Sequence, residues 1–176
     1  MKLTLACLFV ASAASADPRA TPTAPAPPKV VTQAWLHEMD DARWPIDALV
    51  DPVRGVIVLD REIDSPDENY VGVQTARKIC KRADLHALKR GLHGMYKTAD
   101  VFSCQNKPSI RCSFALAYEY TTTTTLAFEK ADDGTLRLVS VAFLDGGSQV
   151  QSFKDEQARW VSKQLTKLEA VRCDGS

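Results

Sequence analysis

From Ile110 to Thr121 the side chains alternate in character, and this alternation limits the folds open to the chain more than any other feature. The even positions carry Ile110, Cys112, Phe114, Leu116, Tyr118 and Tyr120; the odd ones carry Arg111, Ser113, Ala115, Ala117, Glu119 and Thr121. A period of two puts one row on a core and the other toward water, the mark of a half-buried strand. Extended over Val101 to Leu144, the pattern predicts an antiparallel meander. Lys107-Pro108-Ser109 is its first turn, and Ala131-Asp132-Asp133-Gly134 a later hairpin loop in which glycine supplies a positive φ. The run Thr121–Thr125 reads as β-prone and solvent-facing. In the last strand Leu136 and Leu138 lie on one parity and Val139, Val141 and Phe143 on the other, which implies a bulge near Leu138 or cover on both faces.

The rest of the chain supplies layers for that sheet. Gly55-Val56-Ile57-Val58-Leu59 is a short apolar run suited to a strand buried on both sides. Thr32 caps a short helix carrying Trp35, Leu36 and Met39, and Pro45 starts another over Ile46 to Val50. Asp67 to Lys97 reads as helical. Tyr70, Val73, Ala76, Ile79 and Cys80 share one face of a first helix; Asp84 caps a second that buries Leu85, Leu88, Leu92 and Met95. From Ser148 a C-terminal helix carries Phe153, Trp160, Val161, Leu165 and Leu168 down one side. The fold class is therefore α+β, an antiparallel meander sheet packed against helices with a helix at the C-terminus. The order helix, strand, helices, long meander resembles the cystatin-like and nuclear-transport-factor-like cones, in which a curved sheet wraps a helix. The C-terminal helix departs from that pattern, and such an analogy of fold class implies little about function.

Residues 1–16 have the form of a secretory signal peptide: Lys2, an apolar run from Leu3 to Val10, and the small residues Ala14-Ser15-Ala16 before Asp17. The run is too short to span a bilayer, which takes about 20 residues. Residues 17–31 form a leader whose Asp17–Lys29 portion holds five of the nine prolines, a composition that favours extended polyproline II. One domain, residues 32–176, follows. Cleavage after Ala16 removes one lysine and no acid, leaving 21 basic against 22 acidic residues, a net charge of −1. That balance gives no reason to expect nucleic acid as a partner. The expected location is the periplasm or the cell exterior, without a transmembrane segment.

Export places four cysteines in an oxidising compartment, where two disulfides are the default. A hairpin turning about Pro108 sets Cys104 opposite Cys112, within reach of a bridge, and leaves Cys80 for Cys173. A zinc site is the competing reading, and no C-x-x-C pair supports it.

Three features bear on chemistry. Between Arg77 and Lys97 stand seven basic residues and one acid. Lys78, Lys81, Arg82, Lys89 and Arg90 are the candidate patch for an anionic surface or protein, against the plainer reading of solvated helix faces. Asp60, Glu62, Asp64, Asp67 and Glu68 resemble hard-cation ligands in kind, but Ser65 and Val71 occupy the glycine and closing-glutamate positions of an EF-hand loop, so a solvated strand end is the simpler reading. His86 and His93 are two helical turns apart, too far for one metal, and His37 belongs to another element. No metal or cofactor is expected, and no nucleophile or phosphate-loop motif occurs. The residues thus point to a non-catalytic binding or protein-interaction module. The alternative is a secreted hydrolase whose residues, around His86 or His93, converge only in the fold.

Overall fold

The computed structural model describes residue 31 and residues 46–63, 71–115, 122–145 and 151–173. The signal peptide expected over residues 1–16, most of the expected leader, the helix expected after Thr32, the acidic residues 64–68, residues 116–121 of the alternating stretch and the start of the last helix at Ser148 lie outside them. The elements in chain order are α1 (Ile46–Leu49), β1 (Val56–Ile63), β2 (Val71–Ile79), α2 (Arg82–Thr98), β3 (Val101–Gln105), β4 (Ile110–Ala115), β5 (Thr122–Lys130), β6 (Leu136–Asp145) and α3 (Gln151–Glu169).

Six strands form one sheet in the order β2-β1-β6-β5-β4-β3. The meander β3 to β6 is antiparallel throughout. The sheet as a whole is mixed, because β1 joins the free side of β6 in parallel while β2 pairs antiparallel with β1. The fold is α+β, with α2 on one face and α3 on the other. Phe102 faces Phe114 and Cys104 faces Cys112 across the β3–β4 hairpin. The β5–β6 ladder shifts register where Ala127 pairs Ser140 and Phe128 pairs Leu138, so Val139 is the extra residue that changes the phase of β6. Gly134 turns that hairpin with φ of 81°.

Each face has its own core. Val56, Val58, Cys112, Phe114, Leu126, Leu136, Leu138 and Val141 meet Leu85, Leu92 and Tyr96 of α2. Ile57, Leu59 and Ala142 meet Trp160, Val161, Leu165 and Leu168 of α3. β1 is therefore buried on both sides, as its continuous apolar run requires.

Three expectations need correction. Residues 71–79 are a strand, not a helix. Val71, Val73, Thr75 and Ile79 also satisfy a period of two with β-branched residues, and pairing along β1 satisfies its otherwise open backbone edge. The second helix is rotated from its expected setting. It buries Leu85, Lys89, Leu92 and Tyr96, leaving Leu88 half-buried and Met95 47% exposed. The stripes 85/88/92/95 and 85/89/92/96 share two members; Tyr96 breaks the tie, its ring lying 4.9 Å from Phe102 and 5.4 Å from Phe114. Finally, the threonine run does not simply face solvent: Thr124 is buried, with its hydroxyl 4.0 Å from the Met95 sulfur.

Candidate functional site

Directly paired residues of a ladder point to the same side of a sheet, so the registers define what lies on the α3 face. One row across five strands reads Lys78, Ile57, Ser140, Ala127, Arg111. The next reads Ala76, Leu59, Ala142, Thr125, Ser113. Where these rows cross β6 and β5 they carry Ser140, Ala127, Ala142 and Thr125. Those four side chains are small, and α3 packs chiefly against β1 and β2. The remaining space is a groove of about 280 Å³. Its floor includes Ile57, Leu59, Ala127, Ala142 and Leu144, and Val161 and Leu165 of α3 form one wall. At one end stand Arg54, Lys78, Arg111, Glu129 and Glu169.

The wall is held at both ends. Near its start, Arg61 of β1 is 1% exposed and lies between the rings of Phe153 and Trp160, its guanidinium carbon 5.2 and 5.8 Å from their centroids. Its Nη2 donates to Glu156 Oε1 at 2.7 Å, while Nε and Nη1 have no hydrogen-bond partner among the described residues. Gln157 Nε2 adds a bond to the carbonyl of Asp145 at 3.2 Å. At the far end, Cys80 is bridged to Cys173 and the Cys173 N–H donates to Val53 O at 2.9 Å. Gly55, with φ of 63°, sits so close that a Cβ would collide with the Ile79 carbonyl and the Cys173 sulfur. Lys78 Nζ donates to Leu168 O at 2.9 Å, which also accepts from the Val171 N–H, and to Val171 O just beyond the helix end, so a cation sits at the negative end of α3. The second disulfide, Cys104–Cys112, staples the β3–β4 hairpin with a Cα–Cα distance of 4.2 Å.

The charges at the groove end are not equivalent. Arg54 Nη1 is 2.5 Å from Glu129 Oε2, and that bond raises the arginine above its ordinary value. Burial pulls the Lys78 ammonium below its ordinary value, and the nearby Arg54 adds to the effect. An ammonium has three donors. Two of those of Lys78 reach backbone carbonyls. Arg111 is exposed and makes no side-chain hydrogen bond or ion pair among the described residues.

The five residues of the basic candidate patch do not form one surface. Lys78 lies on the α3 face of the sheet, engaged with the end of α3. Lys89 lies on α2 over the opposite face and is 5% exposed. This overturns the expectation that Lys89 points to solvent, and the rotation of α2 is the cause. Lys81, Arg82 and Arg90 are exposed on α2, and Arg82 has an interaction of its own. Composition concentrated these charges in sequence; a strand and a rotated helix then separated them.

His86 and His93 are half-buried on α2, on the far side of the sheet from the groove, and both are engaged in interactions. Asp60, on the α2 face beside Phe143, has its carboxyl raised by burial against the opposing pull of Arg77. Among the described residues no three His, Cys, Asp or Glu side chains converge to hold a metal ion, and no helix is long and apolar enough to cross a membrane. A second cleft, about 480 Å³, opens on the α2 side between Arg77, Asp84, Leu88, Gly91, Met95 and Phe143.

Sequence reasoning missed the groove. The signal for it was present as the small side chains Thr125, Ala127, Ser140 and Ala142, but only the β5–β6 register brings them side by side.

No protein-family model, curated protein or solved structure matches this chain.

Proposed function

We propose that this chain is a non-catalytic binding module, exported to the periplasm or the cell exterior, that takes its ligand in the groove between α3 and the small-residue floor of β5 and β6. The observation that carries the reading is the groove's construction: a largely apolar floor and wall, in which the Thr125 hydroxyl is already bonded to Ser113, with the charged groups gathered at one end. Sites for small ligands are built in this way, at volumes of about 300–1,000 Å³, and this groove lies close to the lower bound. Two disulfides suit an oxidising compartment. The form of residues 1–16 supplies the route there. A site whose wall is fixed at both ends binds with little ordering of the protein, which favours affinity.

The test is a titration of the purified full-length protein with Nile red, a neutral dye that brightens in apolar surroundings. Saturable binding is expected, with loss on filling the groove by Ala127→Trp or, separately, Thr125→Trp. Circular dichroism and the thermal midpoint report whether each variant folds. Binding unchanged in both folded variants rejects the groove. Turnover of a generic ester that is abolished by His86→Ala or His93→Ala rejects a non-catalytic module.

A further inference from the structure

The geometry points to a specific ligand class for this groove: a small single-chain amphipathic anion, its carboxylate held between Lys78 and Arg111 and its hydrocarbon lying along β6 against α3. This rests on the groove being the binding site and goes on to say what it binds.

Three observations combine. The row Lys78–Ile57–Ser140–Ala127–Arg111 places a cation at each side of the groove mouth, four strand spacings apart, which at about 4.8 Å each is about 19 Å between Cα atoms. Both side chains are long and both line the groove. Lys78 keeps one ammonium hydrogen beyond the two given to Leu168 O and Val171 O, and Arg111 has its whole guanidinium uncommitted among the described residues. Arg54 is unlike them, already neutralised by Glu129. Among the described residues the mouth thus carries two cations in no ion pair, against the remaining carboxylate of Glu169.

Away from the mouth the chemistry changes. Leu59, Ala142, Leu144, Val161 and Leu165 offer no polar side-chain atom. From Ser140 to Leu144 β6 advances four residues, about 13 Å. A trough of that length, polar at one end, matches a molecule with a charged head and a chain. A neutral apolar ligand would leave the mouth cations unused. A cationic amphiphile would meet them as like charges.

The test compares decanoate, decanol and decylammonium for displacement of Nile red from the full-length protein at low and moderate salt. Decanoate is expected to bind most tightly, about tenfold better than decanol, and to weaken with salt. Decylammonium is expected to be weakest. Arg111→Gln, a change at an exposed and unpaired side chain, should weaken decanoate about tenfold and leave decanol unchanged. Lys78→Met is the second variant, read by the same ratio of decanoate to decanol. Equal binding of decanoate and decanol, or a ratio unmoved in both variants, overturns the anionic class while leaving the groove as an apolar site. Failure of all three compounds to displace a dye that Ala127→Trp does exclude overturns the amphiphile but keeps the groove. A dye that Ala127→Trp does not exclude overturns both readings.

Discussion

Arg61 and Glu156 form an ion pair with unequal ends: the Arg61 side chain is 1% exposed and that of Glu156 60%, and their atoms are 2.7 Å apart. The costs of breaking it should be just as unequal. Glu156→Ala leaves a guanidinium buried between Phe153 and Trp160 with no counter-charge, and should cost about 2–3 kcal/mol. Arg61→Met returns Glu156 to water and fills the space with an apolar chain, for a change within about 1 kcal/mol of zero. Urea denaturation of the two variants checks the order. A larger loss in Arg61→Met would mean that the stacking on the two rings outweighs the burial of charge.

The two disulfides should differ in weight. Cys80–Cys173 spans 93 residues and Cys104–Cys112 only 8. On the chain-entropy account these are worth about 4–5 and about 2–3 kcal/mol. Cys173→Ser is therefore expected to lower the denaturation midpoint more than Cys104→Ser, and non-reducing peptide mapping should recover the same two pairs.

Burial pushes the Tyr96 phenol up to about 12, from an ordinary value near 10. Because the raised value belongs to the folded state, the stability it contributes is complete below about pH 10 and is lost as pH rises toward 12. The ultraviolet titration should show a tyrosine step at about pH 12. Tyr96→Phe should remove that step and flatten the alkaline fall in stability.

Asp60 works at the acid end. Its carboxyl is raised, first by burial, with Arg77 pulling the other way. The folded state therefore holds the proton more tightly than the unfolded one, so this group favours folding below its ordinary value near 3.8 and loses that contribution as pH rises through the folded value. Asp60→Asn should stabilise the protein at neutral pH and bring no gain at about pH 3, a difference that denaturation curves at the two pH values will register.

Filling the tight backbone position at Gly55 gives a further check on the clamp beside α3. Gly55→Ala places a Cβ against the Ile79 carbonyl and the Cys173 sulfur at a left-handed φ. A loss of at least about 1–2 kcal/mol follows from the backbone alone.

How much of this could be read from residues in order depended on how many patterns each stretch satisfies. Ile110–Ala115 satisfies only one, and the turn at Pro108 then sets Cys104 opposite Cys112 without further information. Val71–Ile79 satisfies two, with apolar residues spaced for a helix and β-branched ones alternating for a strand. Only the presence of β1 as a partner decides between them. Leu85–Tyr96 offers two overlapping stripes, and the choice rests on the aromatic contacts of Tyr96 with Phe102 and Phe114, which no local pattern contains. The groove was hidden for a different reason. It is made where side chains are small, on strands whose register is known only after pairing, and a lack of volume leaves no mark in composition.

The parallel ladder between β1 and β6 has a consequence for the order of assembly. Ile57 pairs with Ser140, and Cys80 joins Cys173, so the strand buried on both faces waits for partners made much later in synthesis. The hairpin of β3 and β4, with its cysteines 8 residues apart, is complete long before. During that interval Cys80 is a thiol whose own partner has not yet been made. Closing the short loop first takes Cys104 and Cys112 out of reach and leaves Cys173 as the partner for Cys80.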